Sequence, residues 1–288
     1  MSQPSSARPP GRVAVIGGGR MGAGIAQVFA AAGAQVTVVE RDAAAVGAAR
    51  QRILEGLAKA AERGRLTAPA DEVAGRVGII REVEALPGDC DLVVEAVPER
   101  MDLKLSVLAA AEAAVGADAI LATNTSALPI TELAAALAHP RRFLGLHFFN
   151  PVPASALVEV VVGPETSQDA VEVALGWVRS IDKADVVVRD SPGFASSRLG
   201  VALGLEAIRM LEEGVSGAEA IDRAMELGYR HPMGPLRLTD LVGLDVRLAI
   251  AEHLAATLGP RFEPPRLLRE KVERGELGRK TGRGFHDW

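Results

Sequence analysis

The sequence predicts an α/β fold: a doubly wound parallel sheet, followed by an all-helical C-terminal domain. Three observations predict it. A knot of glycines separates an apolar run from a helix-compatible stretch near the start. Short β-branched runs then alternate with Ala-rich segments as far as about Asp190. Beyond that point the pattern turns to amphipathic helix and stays there. At 288 residues the chain is long enough to bury a large core.

The first element is "VAVIGGGRMGAGIAQVF". Val13–Ile16 has the composition of a buried strand, and Met21–Ala32 that of a helix closed by Gly33. "AQVTVVE" supplies a second strand ending at Glu40. This is a βαβ unit of about thirty residues, the setting in which a GxGxxG turn holds a dinucleotide. Gly17 allows the tight turn, Gly19 lets backbone approach a pyrophosphate, and Gly22 lets helix and strand pack closely. The helix N-terminus then faces the phosphate charge. Glu40 is spaced to accept hydrogen bonds from an adenosine ribose and would repel a 2′-phosphate, so NAD is expected over NADP. Arg41 beside it works the other way. The unit makes the predicted domain Rossmann-type.

"CDLVVEAVPE" and "DAILATNTSALPI" continue the alternation, each a strand ending in polar residues. Ligands of such sheets gather beyond the carboxyl ends of the strands, so Glu95, Glu99, Asn124 and Ser126 are site candidates. Asn124–Ser126 could equally cap the following helix. In "RILEGLAKAAERGRL", Lys59 and Arg63 lie one helical turn apart, and Glu55 precedes Lys59 by four. A solvated, salt-bridged face is the default reading there, with phosphate binding the alternative.

"RRFLGLHFFNPVPASALVEVVVG" reads as two strands joined by a turn rich in Asn and Pro. Chain reversal there would bring His147 to Glu159. A carboxylate on one ring nitrogen fixes the tautomer and stabilises the imidazolium, leaving the other nitrogen to act as a base. Glu159 on an otherwise apolar strand also needs such a partner.

Composition sets the outer bounds. A net charge of −5 argues against general attraction to nucleic acid or anionic membrane. No apolar run is long enough to span a bilayer. The single cysteine, Cys90, cannot form an internal disulfide, which suits a reducing cytoplasm. "MSQPSSARPPG", residues 1–11, lacks an apolar targeting core and reads as a loose tail. No histidine spacing suggests a metal site.

Taken in order, "GGGRMGAGIA", "EAVPE", "TNTSALPI", "GLHFFNPVP", "LVEV", "DSPGF", "HPMGPLRLTDLVGLD" and "GRKTGRGF" resemble the L-3-hydroxyacyl-CoA dehydrogenase family, in particular its short bacterial 3-hydroxybutyryl-CoA members. The resemblance runs from Arg12 to Trp288. It implies His147 as general base, Glu159 as its orienting partner and Ser126 as a substrate-binding serine. It implies Glu99, Lys104, Asn150 and Lys280 at the cofactor site, and raises the prospect that Lys59 or Arg63 meets the CoA phosphates. One position departs: "GFASSR" puts Ser197 where the family has an asparagine beside the reacting carbon.

In the second half, "LGVALGLEAIRMLEEG" and "GAEAIDRAMELG" are amphipathic helices closed by glycine. "HPMGPLRLTD" reads as a Pro/Gly turn and "LVGLDVRLAIAEHLAATLG" as a third helix. The division expected is a tail over 1–11, an NAD-binding Rossmann-type domain over 12–190 and a helical substrate and dimerisation domain over 191–288. The function expected is NAD-dependent interconversion of an (S)-3-hydroxyacyl-CoA and the 3-ketoacyl-CoA by a homodimer. The rivals are the same chemistry on a small free hydroxy acid and a non-catalytic NAD-binding protein.

Overall fold

The structure, a computed structural model, describes residues 8–288. Most of the tail expected over 1–11 lies outside the described residues. Its last part is packed: Pro10 is buried, and the Gly11 carbonyl accepts from the Gln35 amide at 2.9 Å.

The chain divides into two compact units meeting at Asp190 and Ser191. Among the described residues, the first holds eight strands: β1 (Arg12–Ile16), β2 (Gln35–Val39), β3 (Val77–Ile80), β4 (Leu92–Glu95), β5 (Ile120–Thr123), β6 (Phe143–Phe148), β7 (Leu157–Val162) and β8 (Ala184–Arg189). They form one sheet in the order β3-β2-β1-β4-β5-β6-β7-β8. Every neighbouring pair is parallel except β6 and β7. Strands covered on both faces become near-continuous apolar runs, and Val13–Ile16 are at most 3% exposed.

Among the described residues, six α-helices complete this unit: α1 (Arg20–Ala31), α2 (Ala43–Glu62), α3 (Ala70–Gly75), α4 (Met101–Ala114), α5 (Ile130–Ala134) and α6 (Gln168–Ser180). Side chains satisfy some of their free N-terminal amides. Asp42 accepts from Ala45 N at 2.8 Å, and Ser167 from Ala170 N at 3.3 Å. The strand order reverses between β1 and β4, and that opens a crevice at the carboxyl ends of the two strands.

The second unit is helical: α7 (Ser196–Glu212), α8 (Ala218–Gly228), α9 (Pro235–Val242), α10 (Leu244–Leu258) and α11 (Arg266–Glu273). Val201, Leu205, Ile208, Leu236, Leu254 and Leu268 lie in its core. Two expectations need correction here. "PLRLTD" is helix rather than turn, and the single third helix is two. Pro235 occupies the first helical turn, where its missing N–H does no harm. The cap comes from another helix: Asp222 of α8 accepts from Leu236 N at 2.8 Å and Arg237 N at 2.9 Å. Gly243, at φ +108°, then ends α9 and redirects the chain into α10. A second buried acid, Asp240, accepts from Phe285 N and His286 N at 2.8 Å and from Trp288 Nε1 at 3.0 Å. These two aspartates anchor the C-terminal segment. Among the described residues, no helix is long and apolar enough to cross a membrane.

Candidate active site

The glycine turn is dictated by contact. A Cβ on Gly22 would lie 1.7 Å from the Gly17 carbonyl oxygen. One on Gly17 would meet the Ala96 carbonyl at 2.8 Å, and φ there is +97°. Gly18, which the sequence pattern did not single out, is equally constrained, since a Cβ would sit 2.5 Å from Ala49 Cβ. Gly19 is the contrast: a Cβ there meets nothing within 4 Å, so the backbone at the start of α1 faces open space. Glu40 joins the turn, accepting from Gly18 N at 2.8 Å and Arg41 N at 3.2 Å. Arg41 itself is 87% exposed and pairs with Asp42. Open backbone amides at a helix N-terminus, with a carboxylate at the tip of the next strand, suit a pyrophosphate and a ribose diol. The residues therefore fit NAD.

His147 and Glu159 are register partners on the antiparallel strands β6 and β7. Nδ1 lies 2.7 Å from Glu159 Oε2, and the two residues are 4% and 1% exposed. An ionised carboxylate only accepts, so Nδ1 carries the proton and the basic lone pair belongs to Nε2. Phe149 lies against the imidazole, ring centroids 4.5 Å apart. The loop between the strands carries Asn150, which is exposed and precedes a cis proline, Pro151. Val152 of that loop is 2% exposed, and it packs on Gly24 of α1 so closely that a Cβ there would be 2.8 Å away. The loop thus joins the histidine strand to the glycine helix.

Beyond β5, the helix-cap reading of Asn124–Ser126 gives way to another arrangement. Asn124 Oδ1 accepts from Phe148 N at 2.9 Å, tying this loop to the residue after His147. Glu99 Oε1 accepts from Thr125 Oγ1 at 2.5 Å, Ser126 N at 2.9 Å and Ala127 N at 3.1 Å. Burial is the largest single influence on Glu99 and works to raise its pKa. The Lys104 charge, the Thr125 hydroxyl and the Ser126 amide together outweigh it and hold the carboxyl below its ordinary value. Lys104 is 1% exposed and bonds Glu95 Oε1 and Oε2 at 2.8 and 3.0 Å.

Lys59 is exposed on α2 and Arg63 exposed at its end; the expected Glu55–Lys59 pair is replaced by a Gln51–Glu55 hydrogen bond at 2.8 Å. In the helical unit, Ser197 is half-buried in the first turn of α7, and Lys280 Nζ bonds Asp245 at 2.5 and 2.6 Å.

A Rossmann-type sheet with this glycine turn, and a buried His–Glu pair on neighbouring strands, defines an NAD-dependent oxidoreductase. Comparison with known proteins narrows the class. Residues 12–191 match the 3-hydroxyacyl-CoA dehydrogenase NAD binding domain, and residues 193–288 match the C-terminal domain of the same family. The chain belongs to the 3-hydroxyacyl-CoA dehydrogenase family. A probable 3-hydroxybutyryl-CoA dehydrogenase of Deinococcus radiodurans is 42% identical over 275 residues, 95% of this chain and 99% of that protein. FadB2 of M. tuberculosis superposes with a TM-score of 0.92 at 42% identity, covering 97% of this chain and 99% of that one. The (S)-3-hydroxybutyryl-CoA dehydrogenase of Ralstonia eutropha gives 0.91 at 38% identity over the same shares.

Proposed function

We propose that the protein interconverts a short-chain (S)-3-hydroxyacyl-CoA and its 3-ketoacyl-CoA. The observation that carries this reading is the buried His147–Glu159 pair, within a family whose relatives are named for this reaction. When bound, NAD supplies the hydride acceptor in the oxidative direction. Gly17, Gly19, Gly22 and Glu40 would hold it, with Glu99 and Asn150 in the same unit; the family resemblance adds Lys280 as a further contact. His147 Nε2 takes the proton from the 3-hydroxyl, and Glu159 stabilises the imidazolium that forms. In reverse the imidazolium returns that proton to the oxygen. Ser126 hydrogen-bonds the substrate oxygen, and Ser197 assists from the place of the family asparagine. Lys59 and Arg63, exposed and without an ion pair among the described residues, are available to the CoA phosphates. Residues 12–190 form the NAD-binding domain and 191–288 the substrate domain. The protein acts in the cytoplasm as a homodimer through its helical unit, where Leu199, Leu227 and Tyr229 are 71%, 68% and 75% exposed.

NADH oxidation is measured with 3-ketoacyl-CoAs of graded length and with free 3-keto acids. Turnover highest with the four-carbon thioester is expected. Turnover of free acids alone would establish the rival substrate class, and none with any substrate would leave a non-catalytic NAD-binding protein.

A further inference from the structure

Lys104 has more acceptors than protons. Besides both Glu95 oxygens, its Nζ lies 3.3 Å from the Val97 carbonyl and 3.3 Å from Glu99 Oε2. An ammonium has three donors, and these four acceptors engage them all. Glu95 is equally committed. At the carboxyl end of β4 and 0% exposed, it also accepts from Val97 N at 2.7 Å and Thr123 Oγ1 at 2.6 Å. A buried ion pair persists only when its remaining hydrogen-bonding capacity is met in this way.

Glu99 stands between this pair and the Ser126 loop. Its Oε2 faces the Lys104 ammonium, and its Oε1 takes the Thr125 hydroxyl and the Ser126 and Ala127 amides. Lys104 therefore belongs to a chain of contacts running from the sheet, through two carboxylates, to the backbone that presents Ser126.

We propose that Glu95 and Lys104 are positioning residues for the Ser126 loop: the ammonium, neutralised on one side by Glu95, orients the Glu99 carboxylate that fixes the Ser126 and Ala127 amides. This rests on the reading of Ser126 as substrate-binding. It gives Lys104 a task beyond the cofactor contact implied by family resemblance, and it gives Glu95 a task where the sequence offered only a position.

Among the described residues, the charged group paired with Glu99 is Lys104 on α4, which also holds Glu95 of β4; the Arg100–Asp102 pair is exposed at the start of α4. Removing Lys104 leaves the burial of Glu99 opposed only by the loop donors, so its pKa rises. The acidic limb of the pH–kcat profile should then move upward.

The test compares wild type with the double variant Glu95→Leu/Lys104→Met and with the near-isosteric Glu95→Gln. Removing both charges replaces a buried ion pair by apolar contact, which often leaves stability close to its starting value. The double variant should fold, with kcat for a 3-ketoacyl-CoA roughly ten- to a hundredfold lower, since small misplacements reach that size. Its acidic limb should shift upward while KM for NADH changes by less than about threefold. Glu95→Gln should lower kcat by less, and its acidic limb should stay or move downward, because it removes a charge like that of Glu99 and keeps the ammonium. Amide hydrogen exchange at Ser126 and Ala127 should quicken in both, a readout that stands even if wild type turns over no acyl-CoA and the substrate reading fails. Unchanged exchange, kcat and pH limb in a folded variant would overturn the proposal. A large rise in the KM for NADH with kcat preserved would also overturn it, returning Lys104 to the cofactor.

Discussion

Two lysines are buried in the sheet-bearing unit, and their surroundings could hardly differ more. Lys104 reaches two carboxylates, Glu95 and Glu99. Lys183, 7% exposed just before β8, donates to the Val152 carbonyl at 2.7 Å and the Ser155 carbonyl at 2.5 Å, with no carboxylate bonded to it among the described residues. Those carbonyls belong to the loop joining the His147 strand to the Glu159 strand. Burial pulls the Lys183 pKa down, opposed by the neighbouring charge of Asp182. Lys104 therefore works through its charge. Lys183 works through the direction of its N–H groups, which a neutral amine retains in part. Each secures one loop of the proposed site, the first electrostatically and the second geometrically.

The largest expected effect follows from breaking the charged arrangement on one side only. Lys104→Met leaves Glu95 buried without its cation and should reduce stability by about 3–5 kcal/mol in urea titration. Lys183→Met leaves two carbonyls short of a donor and should lose about 1–3 kcal/mol. Equal losses would erase the distinction between the electrostatic and the geometric lysine.

A pH series sharpens the same comparison. Folding lowers the Lys183 pKa below the ordinary 10.5, so the unfolded chain binds more protons between those two values. Stability contributed by Lys183 is thus gained as pH rises through the folded pKa toward the unfolded one. The deficit of Lys183→Met against wild type should accordingly widen from neutrality into that alkaline window, as paired urea titrations would register. A deficit that narrows would show that the lysine is held as a cation.

The smallest effect belongs to a carboxylate held by backbone amides in place of a lysine. Glu40→Ala should lower the kcat/KM preference for NAD over NADP by roughly tenfold, the size of one lost hydrogen bond to a charged group, while turnover continues. An unchanged ratio would mean that Glu40 is engaged only with Gly18 and Arg41.

The two lysines also mark how far the sequence could be read. The glycine turn, the alternating strands and the His147–Glu159 pairing were legible because each depends on local pattern: a fixed spacing, β-branched runs, an acid on an apolar strand. Lys183 has no such signature, since its partners are carbonyls of a loop 28 to 31 residues earlier, and any residue type supplies a carbonyl. Lys104 and Glu95 are nine residues apart on different elements, so no helical or strand period links them. The break at Gly243 was missed for a related reason. "LVGLD" continues a helical apolar pattern, and only the left-handed backbone there separates α9 from α10. The cap on α9 comes from Asp222, thirteen residues before its first residue, so it too leaves no local signal.

The proposed reaction depends most on His147 as its acid and base. General acid–base assistance is worth about 10²–10⁴-fold, so His147→Gln should lose roughly that factor in kcat with a 3-ketoacyl-CoA and NADH while its affinity for NADH holds. A His147→Gln enzyme with wild-type kcat would show that another group moves the proton.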